Sequence, residues 1–567
     1  MSTAPAPASD PGGRIANLTW LLVVLIGSSV WCTTSARHLG PTFDETLYVR
    51  IGLDQWRSGS SKSHMSDGVM PLPTDVQTLP LYLSERDLGV PYDPVADLPA
   101  LLPAARAGTL VFWWALLIYA FRWGHLAGGN WGGRWASGLI ATDPNFLAHS
   151  ALATTDIAMT ATVLIAVYHF YRGRQCGPWL RVVLPGVLYG VALSAKASAL
   201  PYVPLLFAVV GMNRLFADGV LPRPTIRLWA TLQQYRVITR RLRWDLCYTF
   251  ALGLIWVFVY TGNDGKPEPQ FAEWAHSLAP GLLRDSLVWL ADRGTAGFPN
   301  AWEGLARQVK HGMTGHGGTV VFGKWYPDSR WFYFPATLAV KLPDSTLVLG
   351  ALILLAAKRV WRSPAAWAAA FLFLFSLTTQ VQLGIRIVFP LVAFLLIVAG
   401  AVLSHGIAHP TIGRRRLAWL VGVAALAYSI NESANVWPDG IRYTNRLAGG
   451  NDRGAEWLAD SNYDWGQGLP ELDEWRITAG KPEVFIWYFG SDPQAGLPPF
   501  QQIHVHKMGP DTEAAIRARV GNGDLAVSTT ILNACPDRRP HMLRTVAWLR
   551  SLTPVARTRT MLIYRFQ

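Results

Sequence analysis

The sequence predicts an α-helical polytopic membrane protein that ends in a soluble α/β domain. Three observations carry this. Hydrophobic residues make up 51% of the 567 and charged ones only 15%, and several apolar runs approach the roughly 20 residues that cross a bilayer. Trp is abundant, at 26 residues, and it favours membrane–water interfaces. Long apolar runs stop after residue 431, beyond which helical and strand patterns alternate to the C-terminus.

In chain order, residues 1–15 read as a disordered cytoplasmic tail rich in Ala, Pro, Ser and Gly, with no cleavable-signal pattern. A transmembrane unit follows over 16–431. Apolar length and the Lys/Arg bias of loops place about eleven spans near 16–36, 105–122, 133–149, 154–172, 180–195, 198–216, 246–262, 335–357, 364–381, 386–404 and 415–431. Arg14, Arg122, Arg134, Arg172, Arg174 and Arg181 fall on one face, as do the clusters at 214–243, 358–362 and 414–416. The positive-inside rule makes that face, and the N-terminus, cytoplasmic. The formal charge of +13 is therefore spent on topology, and nucleic acid is not a partner. The segment 223–243, with Arg223 and Arg227, reads as a basic amphipathic helix on anionic lipid.

Outer loops at 37–104 and 263–334 and an extracytoplasmic domain at 432–567 remain. In that domain helices are expected near 453–460, 468–478, 511–519 and 540–551, and strands near 483–489, 524–531 and 560–566. Cys32, Cys176, Cys247 and Cys535 show neither metal spacing nor a paired pattern. Only Cys535 lies clearly outside, so no structural disulfide is expected.

Chemistry gathers at one membrane face. Asp44 and Glu45 follow the first span, where ionisable groups beside a low dielectric usually hold a ligand or react. The plainer reading is a helix cap by Thr42 or Asp44. Asp156 follows Thr154-Thr155 on the same face, where it also suits a helix start, and His149 alone reads as an interfacial histidine. Lys196 and Arg386 sit at outer span ends, as snorkelling anchors would. Lys341 lies a turn or more inside an apolar run, which is costlier and suggests a buried anion. Acids opposite buried cations suit a lipid-phosphate leaving group with a general base. A proton-coupled transporter would place such groups nearer the midplane.

These residues recur as motifs: Phe43-Asp44-Glu45; Ala148-His149 with Thr154-Thr155-Asp156; Leu193-Ser194-Ala195-Lys196; and His311-Gly312 with Gly315-His316. Phe322-Gly323-Lys324-Trp325, Tyr333-Phe334-Pro335 and Lys341-Leu342-Pro343 follow, then Arg386 with Pro390. Asn445-Arg446-Leu447-Ala448-Gly449-Gly450 and Asp460-Ser461-Asn462-Tyr463-Asp464-Trp465-Gly466-Gln467 open the tail. In order and topology the chain resembles the dolichyl-phosphate-mannose–protein mannosyltransferase family, glycosyltransferase family 39 of the C-type membrane glycosyltransferases. It is also similar to the related aminoarabinose lipid A transferases. It departs from many relatives in the first loop, where Pro71-Leu72-Pro73 and Leu79-Pro80-Leu81 do not match a Pro-Pro signature.

The resemblance implies a C-type glycosyltransferase fold in the cytoplasmic (inner) membrane. It implies inverting transfer of a sugar from a polyprenyl-phosphate donor to an acceptor hydroxyl at the outer face. The acceptor would be a protein, a glycolipid or a glycan. Asp44 would be the general base, and Asp156, the second catalytic residue, would with Glu45 orient the acceptor or cations. Glu45, His149, Lys196, His316, Tyr333, Lys341 and Arg386 would contact substrate, with Lys341 and Arg386 neutralising the lipid phosphate. No cofactor is assigned, a divalent metal stays open, and no metal ligand is assigned. The alternatives are a lipid-linked sugar transporter or flippase, and a non-catalytic envelope scaffold.

Overall fold

The computed structural model describes residues 11–220, 228–264, 269–289, 291–292, 299–315, 317–355, 358–509 and 511–566. Arg223, Arg227 and His316 lie outside them. A helix satisfies all its backbone groups internally, the condition for crossing lipid. Helix makes up most of the described part of each of the eleven expected segments, with breaks at Asp143 and at 342–343 and a non-helical end over 377–381. Among the described residues six helices are long and apolar enough to cross a membrane: Gly12–Ala36, Leu98–Thr142, Ala199–Ala217, Arg240–Thr261, Ile385–Ile407 and Ile412–Val436. The pair Tyr333–Lys341 and Asp344–Leu354, bent by 120°, makes a seventh if it is counted as one broken span.

Part of the difference from eleven has a local cause. Leu98–Thr142 joins two expected spans, and its helix breaks at Gly128 and Gly129, the latter at φ +66°. Its two arms meet so closely that a Cβ on Gly124 would lie 2.3 Å from the Gly132 carbonyl oxygen, a contact only glycine allows. The span expected to reach residue 149 instead stops at Thr142. There Asp143 accepts hydrogen bonds from the Asn145 and Phe146 N–H groups and starts a new helix, Pro144–Ser150, with Pro at its first position. Two further apolar helices, Trp179–Ala195 and Pro364–Ser376, are short.

The Phe389–Ile407 helix is buried on most sides and forms the middle of the bundle. Gly400 packs on Ala136 and Gly132, and Phe394 meets the Trp123 ring edge-on at 5.5 Å. The first outer loop is largely helical, with Glu45–Ser58, Lys62–Ser66 and Leu72–Leu88. The second carries Pro269–Ser277, Leu282–Trp289, Pro299–Thr314 and a hairpin of Thr319–Val321 with Lys324–Tyr326.

The tail holds a five-stranded sheet in the order Phe500–Gln502, Val484–Trp487, Asp524–Ser528, Met561–Arg565, Ala556–Arg557. The first three strands are parallel and the last two antiparallel. Side chains alternate across the sheet. Phe485, Trp487, Leu525 and Val527 face the helices Thr512–Val520 and Pro540–Ser551, while Val484, Ile486 and Ala526 face Leu469 and Leu472 of Leu469–Thr478. Helices thus cover both faces of a mostly hydrophobic sheet. The strand expected over 524–531 ends at Ser528, and Thr529–Ala534 is a helix.

Candidate functional site

Asp44 closes the turn between the first span and the Glu45–Ser58 helix, and Arg386 sits in a short 3₁₀ turn, Ile385–Val388, that opens the central helix. The fold brings them together. Arg386 Nη1 lies 2.9 Å from Asp44 Oδ2 and 3.6 Å from Asp156 Oδ2. Lys196 Nζ lies 2.5 Å from Asp156 Oδ1. Two carboxylates and two cations thus alternate as one chain of charges. Their side of the molecule opens into a cavity of about 1230 Å³, lined by Asp44, Tyr48, Lys196, Tyr333, Arg386 and Trp465 among others.

Asp44 is 24% exposed, whereas Asp156 is 1% exposed behind Lys196 and Arg386. Asp156, expected as a catalytic residue that orients the acceptor or cations, is absent from the cavity wall, so it does not meet the acceptor. Its carboxylate fixes the two cations that are there.

Three more expectations are corrected. Glu45 is fully buried and paired with Arg106, facing away from the cavity. Burial alone would push its carboxyl up, but Arg106 and the N–H groups of Thr42 and Ala153 hold it below the ordinary range. His149 is buried between Phe389 and Trp465, with ring centroids 5.0 and 6.1 Å away, and does not line the cavity. Lys341 is 1% exposed, and its Nζ donates to the carbonyls of Ile441, Tyr443 and Asn462 at 2.8, 2.5 and 2.8 Å. Its partners are the backbone of the tail, so it staples the tail to the bundle and has no reach to a phosphate.

We expect Lys341→Met to strand these carbonyls at about 1–3 kcal/mol each. Thermal unfolding of the purified protein should fall sharply, with donor affinity of the folded fraction unchanged.

Tyr333 reaches the cavity edge, and its hydroxyl accepts from the Gly384 N–H at 2.9 Å. Lys196 and Arg386 remain as the expected cations at the wall. Sequence reasoning missed Arg106 and Trp465. The Arg386 guanidinium lies 4.1 Å over the Trp465 ring. A lone arginine within an apolar run was the available signal for Arg106. No local pattern announces Trp465. Nearby, burial pushes the Asp464 carboxyl up to about 7, against hydrogen bonds from Thr530, Gly466 and Thr529.

Among the described residues the donors do not fit a metal. Asp44 and Asp156 are committed to Arg386 and Lys196, and among the described residues no three His, Cys, Asp or Glu side chains converge.

Residues 99–222 match the family model described as dolichyl-phosphate-mannose-protein mannosyltransferase. That segment holds His149, Asp156 and Lys196, so half of the charge chain lies within it. No curated protein matches the chain. Among solved structures it is similar to ArnT from Cupriavidus metallidurans bound to undecaprenyl phosphate, at 13% identity over 96% of this chain and 97% of that one, TM-score 0.45. The apo form of that protein gives 14%, 97%, 98% and 0.43. An Archaeoglobus fulgidus oligosaccharyltransferase in complex with Zn and sulfate gives 12% identity over 90% of this chain and 68% of that one, TM-score 0.43.

Proposed function

We propose that this protein is a multi-pass membrane glycosyltransferase that moves a sugar from a polyprenyl-phosphate donor to an acceptor hydroxyl. The observation that carries the reading is the Asp44–Arg386 pair at a cavity wall. The family match over residues 99–222 supports the class of reaction.

In this reading Asp44 takes the proton of the acceptor hydroxyl as its oxygen attacks C1 of the sugar. The C1–O bond to the lipid phosphate breaks, and the configuration at C1 inverts. Arg386 and Lys196 take the phosphate's charge. Among the described residues Arg386 uses Nε on the Leu383 carbonyl and Nη1 on Asp44. Its Nη2 is left to meet an anion. Preorganised cations at the leaving group stabilise the charge that develops there. Asp156 holds Lys196 and Arg386 in place. The acceptor is a protein, glycolipid or glycan hydroxyl.

The test is transfer from a purified polyprenyl-phosphate sugar by the full chain in nanodiscs, read as release of polyprenyl phosphate. No release with any sugar donor and acceptor would reject the reading. A second arm separates it from a flippase, which would move the donor between leaflets without cleaving it.

Arg386→Lys should weaken donor binding by about 10-fold, because a point charge cannot replace the guanidinium fork. The check is donor KM, with Lys196→Ala as comparison. We further place the cavity and the tail outside the cytoplasm of an inner membrane. A reporter fused after Gln567 is expected to be active outside. Activity inside would reverse the topology and the leaflet from which donor enters.

A further inference from the structure

The tail segment 460–467 reaches across to both halves of the charge pair. On one side it grips the turn before Arg386. Ser461 Oγ donates to the Leu383 carbonyl at 2.7 Å, the carbonyl that also accepts from Arg386 Nε at 3.1 Å. Asn462 Oδ1 accepts the Ile385 N–H at 3.0 Å, and its Nδ2 donates to the Tyr333 hydroxyl at 3.1 Å. Gly384 sits at φ +89°, and a Cβ there would lie 2.8 Å from Ser461 Oγ, so the turn is moulded on this segment. On the other side, Phe43, the neighbour of Asp44, donates its N–H to the Trp465 carbonyl at 2.9 Å, and Gly40 donates to the Gln467 carbonyl at 3.0 Å. Trp465 is buried, and its ring carries the Arg386 guanidinium on its face at 4.1 Å.

We propose that this segment sets the spacing and plane of the Asp44–Arg386 pair, with Trp465 and Asn462 as positioning residues. It rests on the reading of Arg386 as the phosphate-binding cation. A guanidinium on one long side chain rotates about several bonds, and a flat ring beneath it removes most of that freedom. The two backbone grips fix the distance across which the base and the leaving group must line up. Misplacement of about 1 Å is enough to cost much of the rate. The tail is thereby part of the site, although the acid and the cation it aligns both belong to the helical bundle.

The experiment uses the full chain in nanodiscs with undecaprenyl phosphate as probe. Its affinity and the thermal midpoint are measured for Trp465→Leu, Trp465→Phe, Asn462→Ala, Arg386→Ala and the Trp465→Leu/Arg386→Ala double variant. Trp465→Leu should weaken binding by about 10-fold and Trp465→Phe should recover most of it, since a flat ring is what is required. Asn462→Ala keeps the ring and should lose about 3-fold through the freed turn, a second reading should Trp465→Leu fail to fold. On the Arg386→Ala background, Trp465→Leu should add nothing. Three results overturn the inference alone: Trp465→Leu binding as wild type while Arg386→Ala does not; losses that simply add in the double variant; or affinity falling only in step with thermal midpoint, with Phe no better than Leu. Wild-type binding by Arg386→Ala overturns the phosphate reading, and this inference with it.

Discussion

Asp44→Asn is expected to lower sugar transfer by about 10²-fold or more while the protein still folds and binds donor. The amide keeps the size of the carboxylate and can still accept from Arg386 Nη1, which lies 2.9 Å from Oδ2. It cannot take up the acceptor's proton. Asp44→Glu should also fail largely, because one added methylene moves the oxygen off the line between acceptor and C1. The measurement is turnover with saturating donor, alongside undecaprenyl phosphate affinity. Burial separates the two acids of the site. Asp44 is 24% exposed at the cavity, and Asp156 is 1% exposed behind the cations. Near-normal turnover in Asp44→Asn would therefore not pass the role to Asp156. It would point to a base supplied by another group at the wall, where Asp460, Asp67 and Tyr48 are among the ionisable oxygens.

The helices of the bundle were legible because lipid imposes one rule on every span, and apolar length reports it directly. The tail's helices and main strands were legible for a related reason, since period and turn chemistry are local. What escaped was set by distance in sequence. Lys341 reads as a costly intramembrane charge, which it is. The sequence pointed to an anion as its partner, whereas three neutral carbonyls from about a hundred residues later satisfy it. Asp44 and Glu45 were adjacent acids with no local feature to tell them apart. One helical step turns Asp44 to the cavity and Glu45 to Arg106. The reversal inside the 45-residue helix was legible, since the spans read at 105–122 and 133–149 are its two arms and the break at Gly128 and Gly129 falls between them. Trp465 falls inside the motif at 460–467, where nothing local assigns it a task. Its task exists only where the tail lies against the turn before Arg386.

Glu45→Ala is expected to be the most damaging substitution for stability, at about 3–5 kcal/mol, because it strands a buried guanidinium. The pair is bidentate, with Arg106 Nε and Nη2 each 2.8 Å from a Glu45 oxygen. The remaining donors of Arg106 are also used, and both Glu45 oxygens accept further hydrogen bonds. Arg106 donates to the carbonyls of Ala36, Leu39 and Gly40 at 2.6, 2.9 and 2.7 Å, and Glu45 accepts from the Thr42 and Ala153 N–H groups at 2.8 and 2.7 Å. One ion pair thereby ties the end of the first span, the turn that presents Asp44, and the loop before Asp156. Glu45→Gln, which keeps the shape, should still destabilise strongly, because an amide nitrogen would face the guanidinium. A paired Glu45→Leu/Arg106→Met change should cost less than either single change, since it leaves no charge behind. Acid should act in the same direction as the amide. Glu45 is held below its ordinary value in the folded state, so its contribution is full above the unfolded pKa near 4.5 and is lost as pH falls through the lower folded value. Thermal midpoints of wild type and Glu45→Gln should therefore draw together as pH falls below the unfolded value near 4.5 and through the lower folded one. A gap that stays constant from pH 7 down through that window would show that the pair does not hold the Asp44 turn.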